Sequence, residues 1–171
     1  MSTPMTSRDI EALTQLKRGG RAKRIKFFSD VFPYLLIPVV LYNLVAAFSP
    51  AAGFDRRPGM AAFLDAPVMS IPMLTGVTMQ ISWGELLVVL AVICLFVEVI
   101  KSTNTASTAI VNHILSMILF VICLMQLLMF ESFATGTFFI IASTVLVDAL
   151  AGMIVTIISA RRDFGVEGVG A

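Results

Sequence analysis

Four runs of about twenty residues, each nearly free of charge, govern what this chain can become. A helix needs about 20 apolar residues to cross the hydrocarbon of a bilayer, and runs of that kind occupy 29–48, 82–100, 108–130 and 137–160. Lipid offers backbone amides no hydrogen bonds, so each run must satisfy its own and reads as a helix rather than a strand. Composition agrees. Of the 171 residues 58% are hydrophobic and 13% charged, against about 25% charged in soluble domains, which assigns the apolar excess to lipid-facing surface. The expectation is an all-α integral membrane protein. Four transmembrane helices form an antiparallel bundle over 29–160, with a basic segment at 1–28, an outer loop at 49–81 and a tail at 161–171.

Charge decides orientation. Arg8, Lys17, Arg18, Arg21, Lys23, Arg24 and Lys26 precede the first run, Lys101 lies between the second and third, and Arg161 and Arg162 follow the fourth. Only Arg56 and Arg57 fall on the other side. The positive-inside rule then puts both ends in the cytosol, in a form that suits a bacterial inner membrane. A secretory signal is the competing reading of 29–48, but its apolar core is longer than the usual 7–15 or so. Trp83 marks the outer interface, with Phe130, Phe133, Phe138 and Phe139 around the other outer turn. Pro33 falls in the first turn of its run, while Pro38 frees the carbonyl of Tyr34 and should bend the helix.

Outside the membrane, residues 6–18 form a short amphipathic pattern that ends at Gly19 and Gly20. The cluster Lys17, Arg18, Arg21, Lys23, Arg24 and Lys26 then either contacts lipid headgroups or acts as a topogenic signal. In the outer loop, 68–81 is too apolar to be fully wet and too short to span. It is expected at the interface or dipping between helices, broken at Pro72 and Gly76. Met60, Met69, Met73 and Met79 are soft ligands suited to Cu(I), and Met69 and Met73 would be neighbours on a helix; methionine is also a common gap-filler.

An ionisable side chain within a span costs about 2.5–3.5 kcal/mol to insert and so marks a candidate site. Asp148 is central in the fourth run, on a face shared with Thr144, Gly152 and Thr156 at every fourth residue. Small residues at that spacing mark the helix-packing side. Asn112, Ser116, Leu119, Cys123 and Gln126 form a seam of alternating fours and threes on the third run, expected to pack on the Asp148 face. Asp148 is a structural acid, a partner for a basic residue of another subunit, or a proton or ion site. Glu98 can pair with Lys101 along its helix and reach His113, so that a Glu98–His113 pair could gate protons. Glu85, Asp148 and then Glu98 with His113 step from outside to inside, and Asn43 is expected to bond a neighbouring helix.

The opening Ser82-Trp83-Gly84-Glu85 is similar to the same place in the small four-helix subunit of tripartite dicarboxylate transporters, a resemblance of four residues that implies an accessory subunit. No catalytic or cofactor motif occurs. There is no H-E-x-x-H, G-x-S-x-G or phosphate loop, Cys94 and Cys123 stand alone, and a single histidine cannot ligate a bis-histidine haem. The basic cluster abuts a span without interleaved aromatics, which argues against nucleic acid. The expected function is a non-enzymatic accessory, assembly or scaffold subunit, its partners being the lipid bilayer and another membrane protein or a second copy. The alternative is a small proton-coupled or ion-conducting transporter using Asp148 and the Glu98–His113 pair.

Overall fold

The computed structural model describes residues 31–48, 57–102 and 107–166. The amphipathic segment at 6–18 and the basic cluster from Lys17 to Lys26 lie outside the described residues. The chain is mostly helical. In order it forms α1 (Leu36–Phe48), α2 (Arg57–Asp65), β1 (Pro67–Pro72), β2 (Thr78–Ser82), α3 (Trp83–Ser102), α4 (Ser107–Met129), a 3₁₀ turn (Glu131–Phe133) and α5 (Gly136–Val166).

Three helical stretches are long and apolar enough to cross a membrane: Trp83–Ser102, Val111–Met129 and Gly136–Ile154. Their outward side chains stay uncovered by the protein, as Phe96 (65% exposed) and Leu128 (76%) illustrate, which is the surface a helix offers to lipid. The first run behaves differently. Its described helix has only 13 residues, about 20 Å at 1.5 Å per residue. The two prolines account for this. The Leu36 amide bonds to the Pro33 carbonyl and the Ile37 amide to the Tyr34 carbonyl, both at 3.0 Å, so the helix starts between them. Pro38 then sits in the first turn, where an amide lacks a helical acceptor anyway. The mid-helix bend expected at Pro38 is replaced by a helix start.

The segment expected to dip into the membrane at 68–81 is instead an antiparallel β-hairpin. Proline at both ends of β1 opposes a helix, and the β-branched residues Val68, Ile71, Val77, Thr78 and Ile81 favour strand. Met73 and Val77 close a three-residue loop, with the Met73 amide bonded to the Val77 carbonyl at 2.9 Å, and Gly76 supplies the left-handed residue at φ 81°. The register pairs Met69 with Ile81 and Ile71 with Met79 on one face, Ser70 with Gln80 and Pro72 with Thr78 on the other. The hairpin is therefore amphipathic. Met69 and Met73 lie in a strand and its turn, not on one helix face, while Met60 is fully buried from α2. The methionines thus do not form one ligand set.

Strand β2 runs straight into α3. Glu85 accepts from the Ser82 amide at 2.8 Å and the Ser82 hydroxyl accepts from the Glu85 amide at 3.3 Å, a reciprocal capping box. One residue earlier, a Cβ on Gly84 would lie 2.7 Å from Thr137 Oγ1 and 3.3 Å from the Leu64 carbonyl oxygen. Only glycine lets α3, α5 and α2 approach so closely. Helix α5 packs against α4, α3 and α1 and so lies at the centre of the bundle. At the hairpin end Tyr42, Phe133 and Phe138 are fully buried with ring centroids 4.8 to 5.3 Å apart. Phe133 and Phe138, expected as interfacial anchors, are core residues; Phe130 and Phe139 remain exposed. Trp83 is exposed and stacks on Phe63, centroids 5.9 Å apart.

Candidate functional site

Away from the hairpin, α3, α4 and α5 bring their polar residues into one layer, and it divides into a closed half and an open half. The closed half answers a problem created in α1. Because α1 begins after Pro33, the Phe32 carbonyl and the Tyr34 amide lie outside its hydrogen-bond ladder, and backbone polar groups at such a break are costly to leave unmet in an apolar surrounding. Glu98 and Lys101, one turn apart on α3, meet both. Lys101 Nζ donates to the Phe32 carbonyl at 2.6 Å, and Glu98 Oε1 accepts from the Tyr34 amide. Lys101 and Glu98 pair at 3.2 Å. The Asn112 amide bridges them, its Nδ2 donating to Glu98 at 3.1 Å and its Oδ1 accepting from Lys101 at 3.0 Å. Lys101 Nζ also lies 4.8 Å from the centre of the Tyr34 ring. All three ammonium hydrogens of Lys101 therefore have acceptors, and Glu98 receives three donors.

This changes two expectations. Lys101 does not reach out as a loop cation but folds inward, its side chain 13% exposed. Glu98 bonds to Asn112, Lys101 and Tyr34, not to His113, because Asn112 rather than its neighbour faces α3.

The open half lies between α4 and α5. Asp148, Ser116 and His113 are 2%, 0% and 6% exposed. Among the described residues, both ring nitrogens of His113, the Ser116 hydroxyl and Asp148 Oδ2 have no hydrogen-bond partner. Ser116 stands beside the Asp148 carboxyl, and His113, Glu98 and Lys101 are near enough for their charges to act on it. His113 presses into α5 at Gly152. A Cβ there would fall 1.9 Å from Nδ1, so only glycine at 152 admits the ring. Such groups can hold or pass a proton, since neutral imidazole carries one donor and one acceptor. No three His, Cys, Asp or Glu side chains among the described residues come together as metal ligands.

The remaining candidates are dispersed. Glu85 caps α3 at the hairpin end, so it does not continue a path from Asp148. Gln126 Nε2 donates to Asn43 Oδ1 at 2.8 Å, linking α4 to α1. The seam on α4 thus serves three helices: Asn112 turns to α3, Gln126 to α1, and the buried Ser116 and Cys123 lie between. Buried Thr144 bonds back to the Ile141 carbonyl at 2.7 Å, and the side chain of Thr156 lies outside the described residues. Reading of the sequence missed Tyr42, whose hydroxyl donates to the Ser132 carbonyl at 2.8 Å and lies 2.7 Å from Thr135 Oγ1. It also missed the backbone of Phe32 and Tyr34; the signal available was the Pro33–Pro38 spacing, which interrupts the helical hydrogen-bond ladder.

Compared with protein-family models, characterised proteins and solved structures, the chain matches none. The four residues shared with the small transporter subunit are those of the capping box, a device common to helix starts.

Proposed function

We propose that the chain is a non-enzymatic four-span protein of a bacterial inner membrane, with both ends cytosolic, serving as an accessory, assembly or scaffold subunit of a larger membrane complex. The first span is completed by the segment around Pro33, whose exposed amide and carbonyl are covered by Glu98 and Lys101. The observation that carries the subunit reading is the hairpin. No charged residue occurs between Asp65 and Glu85, and Met69, Ile71 and Met79 on its apolar face and Leu74 at its tip are all exposed. A two-stranded hairpin is marginal by itself, and an uncovered apolar face beyond the helices marks an interaction surface. Purification in mild detergent with quantitative mass spectrometry is expected to yield a stoichiometric membrane partner, lost when Ile71 and Met79 are both changed to Ser. A clean monomer or homodimer, unaffected by that change, ends this reading.

A second reading is a small proton-coupled transporter, favoured by the unpartnered group of His113, Ser116 and Asp148. Here Asp148→Asn is expected to abolish pH-driven flux in proteoliposomes while leaving expression intact. An unmutated protein that moves no ion across several gradients rules it out.

A further inference from the structure

Four buried polar atoms without a partner lie in one seam between two helices, a costly concentration, since each costs about 1–3 kcal/mol. They are not scattered. His113 and Ser116 are one turn apart on α4, and Asp148 and Gly152 are one turn apart on α5. The Gly152 notch holds the His113 ring between them. We propose that His113 and Asp148 bind one exchangeable proton as a unit, with Ser116 beside the carboxyl. The proposal rests on the site of the transport reading and names the species it takes, but it does not depend on transport.

The surroundings select a proton over a metal cation. Ser116 stands beside the Asp148 carboxyl, Glu98 and Lys101 of α3 and His113 of α4 are the charged or titratable groups near enough to act on it, and Tyr34 lies against Lys101. Lys101 and Glu98 pair with each other in the same layer. Glu98 is already engaged by three donors and offers no free charge. A proton needs no third ligand and adds no atom to a close-packed seam. In the step, hydronium from water at the Lys101 end gives its proton to the lone pair of the bare His113 nitrogen and leaves as water. The charge of the new imidazolium acts on the nearby Asp148 carboxyl. Release breaks the new N–H bond and returns the proton to water, with no electron transferred. The pair gains one positive charge on binding and loses it on release, and the proton belongs to the two groups jointly.

The test uses the full chain in lipid nanodiscs, purified without a histidine tag. His113 is the sole histidine, so ¹⁵N-histidine labelling gives one ring to follow by NMR. Its nitrogen shifts are expected to pass through a single proton step as the pH is varied. In Asp148→Asn, which keeps the side-chain shape, the midpoint should move by at least about one pH unit. Gly152→Ala, which drives the ring from its notch, should change the shifts at every pH. Ring shifts that stay constant in the unmutated protein overturn the proposal, as does a midpoint indifferent to Asp148→Asn in a folded variant. Titration without flux leaves the proton site standing and removes the transport reading. Flux with a non-titrating His113 does the opposite.

Discussion

Glu98 and Lys101 show how a buried ion pair can be explained by the backbone it serves. Neither charge stabilises the protein through the pair alone, since desolvation offsets much of the attraction. Their benefit lies in the hydrogen bonds they give the backbone, Lys101 to the Phe32 carbonyl and Glu98 to the Tyr34 amide. Removing one member leaves the other uncompensated. Glu98→Gln is expected to lower stability by about 3–5 kcal/mol, read as loss of unfolding free energy in detergent. Adding Lys101→Met should recover part of that loss; a double variant showing the plain sum of the single effects would contradict the coupling. At the opposite end, Tyr42→Phe deletes the bond to the Ser132 carbonyl and should cost about 0.5–1.5 kcal/mol by the same measurement, the worth of one buried hydrogen bond. The pairing of Glu98 with Lys101 was legible from their spacing. The bridging by Asn112 was not, because a contact 14 residues away depends on how two helices face each other.

At the scale of elements, the junction of β2 with α3 concentrates several constraints in four residues. Ser82 ends the hairpin and caps the helix, Trp83 stacks on Phe63, Gly84 lets α5 approach, and Glu85 closes the capping box. Ser82→Ala should lower stability by about 0.5–2 kcal/mol through the lost cap, with little change in helix content by circular dichroism. Gly84→Val should be the more damaging, because its branches would meet both Thr137 and the Leu64 backbone. Thermal melting that ranks these two variants the other way would refute the close-approach role. The three long helices were legible; α2 within the outer loop was not. The expected runs 82–100 and 108–130 agree with Trp83–Ser102 and Ser107–Met129 to within two residues at each end. The hairpin was misread because apolar content alone does not distinguish an interfacial helix from a strand, whereas two flanking prolines and β-branched alternation do.

For the whole molecule, three stretches able to cross a membrane and a shorter fourth helix surround one polar layer. Reporter fusions after residues 60 and 134 are expected to report one side of the membrane and fusions after 104 and 170 the other. A fusion after 60 on the same side as 104 would mean that α1 does not cross. Run length and periodicity, which need no knowledge of distant neighbours, determined from the sequence alone where the three helices long and apolar enough to cross a membrane run and which of their faces are polar. Only the tertiary structure decided what those faces meet: Glu98 answering the break at Pro33, Gln126 reaching Asn43, and His113 set against Gly152 beside Asp148. The physical reason is that lipid, unlike water, satisfies no polar group. Each must find its partner in another helix, and which helix stands opposite is settled by packing rather than by local pattern.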